Sequence, residues 1–212
     1  MKTDRNSGKY AFAFSVAAAA LTVAVWSAPA LAGSVNKKTA QLYQLQAAFH
    51  RAATVHDPVN GDSAEVIDQR IRDMLSLWTD DGSLTVDVGG PLDGNYAGQG
   101  DPSDASTCPT PSADPTNRGT LCTLFKYVSG SFQPANKFVS LAPAYKTAFG
   151  IKGKTATVYF ECHYFNVAAD PTTGLPLWKA ASHLVFDGSA EKVHGTWLFS
   201  HADGSIAGIP IP

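Results

Sequence analysis

The sequence predicts an α+β domain in which helices pack on one face of a curved antiparallel sheet. Two segments near the amino end carry apolar residues three to four positions apart, the spacing of an amphipathic helix. The last third instead holds three segments rich in β-branched and aromatic residues, joined by short connections that contain Gly or Pro. Helices that come first and strands that come last are typical of α+β domains.

Residues 1–32 have the pattern of a cleaved secretory signal. Three basic residues within the first nine precede the apolar run Ala11–Trp26, and small residues up to Ala32 suit a signal peptidase. The run of 16 residues is shorter than the roughly 20 needed to span a bilayer, so no stable membrane anchor is expected. We therefore expect a secreted or periplasmic protein, cleaved near Ala32, whose residues 33–212 form a single domain.

The charge of this mature chain argues against nucleic acid as a partner. Without residues 1–32 it has 13 basic and 17 acidic residues, a net charge of −4, and no basic field. The sequence also lacks His and carboxylate clusters at metal-ligand spacing, a Gly-rich phosphate loop and a Gly-x-Ser-x-Gly nucleophile turn. It therefore predicts neither a metal nor a cofactor.

The amino-terminal half predicts two helices. The first covers residues 36–55 and ends ahead of Pro58, because the residue before a proline is pushed away from helical geometry. Asp62 or Ser63 caps the second helix, whose apolar stripe continues up to Thr79.

The middle of the chain is less regular. Asp80-Asp81-Gly82 predicts a turn and residues 83–88 a short strand. Residues 89–120, rich in Gly, Pro, Asp and Ser, predict a long irregular excursion of the kind that is often functional. Residues 121–132 predict a third helix.

The carboxy-terminal third predicts an antiparallel meander. After residues 138–151 enter the sheet, strands are expected over 155–165, 179–187 and 193–201, with a turn at Gly188. Alternation along the first of these places its more apolar side chains on one face, which the helices must cover. That face is expected to hold Ala156, Val158, Phe160, Cys162 and Tyr164.

The three cysteines divide into a pair and a single thiol. Cys108 and Cys122 flank a polar, Pro-rich segment, and in an oxidising compartment we expect a disulfide that closes the loop at about 89–122, worth about 3 kcal/mol. Cys162 lies on the apolar face of its strand, where a buried, inert thiol is expected rather than a nucleophile.

Three stretches in this order resemble a known superfamily. They are Leu75-Ser-Leu-Trp-Thr-Asp-Asp-Gly-Ser-Leu-Thr-Val86, Gly94-Asn-Tyr-Ala-Gly-Gln-Gly100 and Gly195-Thr-Trp-Leu-Phe199. Together with the two leading helices they make residues 36–203 similar to the SnoaL-like branch of the nuclear-transport-factor-2-like superfamily. The resemblance implies a cone-shaped, strongly curved antiparallel sheet wrapped around about three helices, with an apolar cavity between them.

Members of this superfamily include polyketide cyclases, a dehydratase, steroid isomerases and noncatalytic binding proteins, so the resemblance implies a pocket and not a reaction. If the chain is an enzyme, the resemblance implies a cofactor-independent lyase or isomerase that moves protons with a carboxylate or His in a dry cavity. Aromatic side chains available to line such a pocket are Tyr43, Phe49, Trp78, Tyr96, Phe160, Tyr164 and Trp197.

Four residues are the candidate acids and bases. The resemblance places Asp57 at the end of the first helix as the base, with His56 beside it at the pocket mouth; the alternative for Asp57 is a turn former ahead of the proline. Asp87 on the first strand and His183 on the penultimate strand are the further candidates, and for both an exposed position is the alternative.

One departure weakens the dehydratase mechanism. Dehydratase-like members commonly carry a His where the chain enters the sheet, and here Asn136 and Lys137 occupy that stretch. The competing hypothesis is a noncatalytic carrier of a small apolar ligand, or a homodimer that forms through Tyr159, His163 and Phe165 on the outer sheet face.

Overall fold

The computed structural model describes residues 36–101, 107–131, 137–142 and 144–207. The expected signal segment, residues 1–32, lies outside the described residues, as do residues 132–136, which include Asn136 and the end of the predicted third helix. Within the described ranges no helix is both long and apolar enough to cross a bilayer.

The described residues form three α-helices and seven strands. The helices are α1 (Lys37–Ala53), α2 (Ala64–Leu75) and α3 (Leu121–Lys126), and one π-helical turn (Tyr127–Ser131) continues α3. The strands are β1 (Trp78–Asp87), β2 (Gly94–Ala97), β3 (Lys137–Leu141), β4 (Lys146–Lys152), β5 (Thr155–Ala169), β6 (Pro176–Val193) and β7 (Thr196–Ala207). The predicted α+β class, with helices packed on a curved sheet, is confirmed.

The seven strands form one mixed sheet in the order β2-β1-β7-β6-β5-β3, with β4 pairing with β5 as well. The prediction of an antiparallel sheet is wrong for one pair of strands, because β1 runs parallel to β7. The two strands are far apart in sequence and no hairpin joins them, so the connection does not impose an antiparallel pairing. The other strand pairs are antiparallel, including the predicted meander β5-β6-β7.

The predicted turn at Asp80-Asp81-Gly82 is a bulge inside β1. Trp78 pairs with Phe199 and Ser83 pairs with His201, so β1 advances five residues while β7 advances two. Extra residues in one strand bend it and re-aim its side chains. The chain therefore does change direction at these residues, but β1 continues through the bend and does not end there.

The predicted turn at Gly188 is also wrong, since Gly188 lies in the middle of β6. A side chain there would bring its Cβ within 2.2 Å of the carbonyl oxygen of His201 on β7, so the glycine permits a close approach between the two strands. The actual turn comes later, at His194 and Gly195, which both have positive φ (48° and 92°).

The inner face of the sheet carries the core. Along β5 the predicted apolar set is buried from Ala156 to Cys162, and α1 covers it through Phe49, whose ring centre lies 6.1 Å from that of Phe160. Cys162 is a free thiol with no exposed surface, and burial raises its pKa to about 12. This agrees with the inert role expected from the sequence.

The excursion after β1 is tied back onto the body at its far end. The sulfurs of Cys108 and Cys122 lie at disulfide-bonding distance, with their Cα atoms 5.6 Å apart. Thr120 caps α3 by accepting from the amide of Thr123, and Lys126 Nζ donates to the carbonyl of Cys108 at 2.8 Å. These contacts fix α3, which forms one wall of the cavity described next.

Candidate functional site

A half-enclosed cavity of about 310 Å³ lies between the three helices and the inner face of the sheet. Its volume is at the small end of the range for small-molecule pockets. Its surface is almost entirely apolar. The described lining residues are Phe49, Ala53, Met74, Leu84, Val86, Val88, Gly90, Pro91, Leu92, Leu124, Phe125, Val128, Leu141, Tyr164, Leu184, Phe186 and Gly204.

One wall of the cavity is residues 88–92, where β1 has ended and the excursion begins. The Asp93 carboxylate holds this loop by accepting from the amides of Val88 (2.8 Å) and Gly90 (3.0 Å). Gly89 has φ +73°, a conformation that side chains disfavour. The loop therefore turns sharply and brings Pro91 and Leu92 against the cavity.

Tyr164 is the one ionisable residue among the described lining residues. Its hydroxyl donates to Asn166 Oδ1, two positions along β5, at 3.3 Å. Burial raises the pKa of Tyr164 above its ordinary value, so the phenol stays neutral at physiological pH. The cavity wall described by the structure is therefore uncharged.

Of the seven aromatic residues proposed to line a pocket, Phe49 and Tyr164 do so. Tyr43 is 47% exposed on α1 and contacts Phe149. Tyr96 is fully buried and donates its hydroxyl to the carbonyl of Leu92 at 3.1 Å, below the loop. The remaining three are buried core residues outside the described lining: Trp78, Phe160 and Trp197.

Asp57 lies in a surface turn beyond α1, outside the described cavity lining. Its Oδ1 accepts from the amides of Val59 (2.9 Å) and Asn60 (3.0 Å), and its Oδ2 from the Asn60 side chain (3.0 Å). Hydrogen bonds from Asn60 and then Val59 lower the pKa of Asp57, which keeps it ionised and bonded. The geometry gives Asp57 the turn-forming role and does not support it as a general base.

A buried ion pair that the sequence did not reveal fixes this turn. Arg70 Nη1 donates to Asp62 Oδ2 at 2.6 Å, and the two side chains are 4% and 1% exposed. Asp62 Oδ1 accepts from the amides of His56 and Asp57, both at 2.8 Å. His56 is thus held by its backbone, with an exposed side chain, and it does not line the described cavity.

Asp87 is exposed at the end of β1. Its neighbours Val86 and Val88 line the cavity, so strand alternation turns the Asp87 side chain the other way. The structure therefore supports the exposed alternative for Asp87.

His183 belongs to a polar network on the opposite face of the sheet from the cavity. Its Nε2 lies 3.1 Å from Glu161 Oε2 and its Nδ1 lies 3.1 Å from the hydroxyl of Tyr145, which also donates to Glu161 at 2.9 Å. Lys146 Nζ (2.6 Å) and the Tyr159 hydroxyl donate to the other oxygen of Glu161.

The carboxylate of Glu161 is the centre of this outer-face network. The hydrogen bond from Lys146, followed by that from Tyr159, lowers the pKa of Glu161, and Glu161 in turn raises the pKa values of both. His163, opposite His183 in the register, stacks on Tyr145 at 5.0 Å. Sequence alternation predicted which face these side chains share, but the pairing of Tyr145 and the β4 strand with β5 was needed to reveal the network.

His50, which packs against the cavity-lining Phe49, is a further titratable residue whose burial the sequence did not indicate. It lies on α1 and is 7% exposed, with its ring centre 6.0 Å from that of Phe49 and 5.2 Å from that of Phe160 on β5. Its Nδ1 lies 2.8 Å from the carbonyl oxygen of Gln46. Burial lowers the pKa of His50, partly offset by that hydrogen bond. The ring is therefore neutral and packs as part of the core.

Solved structures share this fold at very low sequence identity. A variant of Rv3472, a Mycobacterium tuberculosis protein described as of unknown function, matches with a TM-score of 0.52 at 11% identity over 85% of this chain and 79% of that chain. ActVI-ORFA from Streptomyces coelicolor matches with a TM-score of 0.51 at 11% identity over 79% of this chain and 98% of that chain. An NTF2-like protein with a cystatin-like fold from Novosphingobium aromaticivorans matches with a TM-score of 0.47 at 12% identity over 80% and 81%.

The two matches with TM-scores above 0.5 are evidence for the fold and for nothing finer. The chain has the nuclear-transport-factor-2-like fold, as its resemblance to the SnoaL-like branch predicted. No protein-family model matches the sequence. No curated protein matches it either.

Proposed function

We propose that this protein binds a small, mostly apolar molecule in the cavity between its helices and its sheet, as a carrier rather than as an enzyme. The observation that carries the proposal is the apolar, uncharged lining of the 310 Å³ cavity. Apolar surface facing a cavity forgoes contacts that a bound apolar molecule would restore. A preformed apolar pocket is also the usual form of a small-molecule site.

The positions of the candidate acids and bases favour binding without proton transfer. A lyase or isomerase of the type considered needs a carboxylate or imidazole within hydrogen-bond reach of the substrate. Asp57 and His56 lie in the turn fixed by Asp62, Asp87 is exposed at a strand end, and His183 is engaged on the outer face. None of these four is among the described residues that line the cavity.

The proposal includes export and a single folded domain. Residues 1–32 act as the signal, and residues 33–212 form the carrier domain in an oxidising compartment. The Cys108 and Cys122 sulfurs at bonding distance support this, because structural disulfides persist outside the reducing cytosol.

Fluorescence titration of the purified protein with N-phenyl-1-naphthylamine tests the proposal. This probe is neutral and apolar, and its emission rises when it leaves water. We expect saturable binding, and we expect Val86→Phe, which extends a cavity-lining side chain, to weaken it. Thr85→Phe is the matched control, because the same bulk then projects from the opposite face of β1.

Three outcomes bear on the proposal. Binding that Val86→Phe reduces at least tenfold more than Thr85→Phe supports the cavity as the site. No saturable binding by the folded wild-type protein overturns the carrier function. Equal effects of the two variants also overturn it, because the probe would then occupy a different surface. Circular dichroism on both variants confirms that they are folded before the comparison is made.

A further inference from the structure

The chemical class of the ligand can be inferred from the one polar side chain in the described cavity wall, Tyr164, and this inference rests on the proposed carrier function. The other described lining residues are aliphatic, aromatic, methionine, proline or glycine. The described wall around a bound ligand therefore contains one side-chain hydroxyl and otherwise apolar side chains. The polar group that a ligand should carry therefore depends on whether the Tyr164 hydroxyl is available as a hydrogen-bond donor or as an acceptor.

The hydrogen bond of Tyr164 to Asn166 decides that question. A phenol has one donor and two acceptor lone pairs. The donor is used on Asn166 Oδ1 at 3.3 Å, whereas the structure gives the phenolic oxygen no donor of its own among the described residues. A ligand hydroxyl can donate to that oxygen and leave the existing bond intact. A ligand carbonyl would have to take the proton away from Asn166.

We propose that the cavity selects neutral apolar molecules that carry one hydroxyl group, alcohols or phenols, and that the hydroxyl donates to Tyr164. Carboxylates and protonated alkylamines are disfavoured, because the described wall holds no charged group to compensate an ion removed from water. Purely hydrocarbon ligands fit, but they leave the phenolic lone pairs unpaired. Tyr164 is then the specificity-determining residue of the cavity.

The test is competition against N-phenyl-1-naphthylamine by four bicyclic compounds of similar shape. They are naphthalene, 2-naphthol, 2-acetonaphthone and 2-naphthoate, which carry no polar group, a hydroxyl, a carbonyl and a carboxylate. Each is measured on the wild-type protein and on Tyr164→Phe, which removes the hydroxyl and keeps the ring. Comparing the same compounds on both proteins cancels their different solubilities in water.

We expect the ratio of 2-naphthol to naphthalene affinity to fall about threefold to tenfold in Tyr164→Phe, the range for one neutral hydrogen bond. We expect the 2-acetonaphthone to naphthalene ratio to change less, and 2-naphthoate to compete weakly in both proteins. Unchanged ratios, or a larger change for the ketone than for the naphthol, overturn the hydroxyl preference. If the wild-type protein binds none of the compounds, including the fluorescent probe, the carrier function itself fails, so the two failures are distinct.

Discussion

The buried pair of Arg70 and Asp62 provides the sharpest stability prediction. Arg70→Met keeps much of the aliphatic volume and removes the guanidinium. That group donates to Asp62 Oδ2 at 2.6 Å and to the carbonyls of Ala52 at 2.9 Å and Ala53 at 2.8 Å. In one substitution α1 loses the donors to its last carbonyls, and a carboxylate loses its counter-charge.

The expected cost is about 4 kcal/mol in the free energy of unfolding. Removing one partner of a buried ion pair costs about 3–5 kcal/mol, because the remaining charge stays buried and uncompensated. A cost inside that range applies here, since the Asp62 side chain is 1% exposed and cannot turn to water without giving up the amides of His56 and Asp57. A domain has only about 5–15 kcal/mol in total, so the variant is expected to be marginally stable.

Urea unfolding at neutral pH measures the difference by linear extrapolation. Arg72→Met is the matched control: it lies on the same helix, and its guanidinium donates to Gln69 at the surface, so a change within about 0.5 kcal/mol is expected. Adding Asp62→Asn to Arg70→Met should cost at least about 1 kcal/mol less than the sum of the two single changes. If Arg70→Met is as stable as Arg72→Met, Arg70 does not hold α1 against α2 and the reasoning is refuted.

Two further predictions concern His50 and the cysteines. Burial lowers the pKa of His50 in the folded protein, so as the pH falls the unfolded chain binds a proton at His50 before the folded chain does. The free energy of unfolding should therefore drop between about pH 7.5 and about pH 5.5. In His50→Asn, which keeps a donor for the Gln46 carbonyl, urea unfolding should show a smaller drop in that free energy over the same interval. An equal loss in both proteins would show that other groups cause the acid sensitivity. A thiol reagent should label no cysteine in the native unreduced protein, Cys162 alone after unfolding, and all 3 cysteines after unfolding and reduction. Labelling of Cys162 in the native protein would contradict its burial. Labelling of Cys108 or Cys122 without reductant would contradict the disulfide.

The helices and the meander could be predicted because local pattern decides them. The apolar spacing of α1 and α2 and the alternation along β5 are each set by burial of one face. The two misplaced turns came from residues whose role depends on a distant strand. Asp80-Asp81-Gly82 has the composition of a turn, and Gly188 is a plausible one, but pairing with β7 converts the first into a bulge and makes the second a point of close strand approach.

The candidate site was harder to predict for a related reason. Sequence alternation can assign a side chain to a face, as it did for Tyr164, but it cannot show which buried aromatic residues fill the core and which are left facing a hollow. Trp78 and Phe160 point inward as expected, but both are fully packed in the core. The position of Asp57 was predicted correctly as a helix exit. Its turn orientation depends on Asp62, whose partner Arg70 lies eight positions further along the chain, on α2.

The sheet keeps the polar network around Glu161 on the face opposite the cavity. The inner face of the sheet presents an uncharged wall with Tyr164 as its polar member among the described residues, while Glu161 gathers its donors on the opposite face of the same strand, three positions away. Odd and even positions of a strand face opposite ways, so β5 alone can keep a carboxylate out of the cavity and place a phenol in it. A shift of register by one residue would bring Glu161 inward and expel Tyr164, and it would turn a dry binding cavity into a charged one. The long pairing of β5 with both β4 and β6 is therefore what makes the cavity suited to neutral ligands.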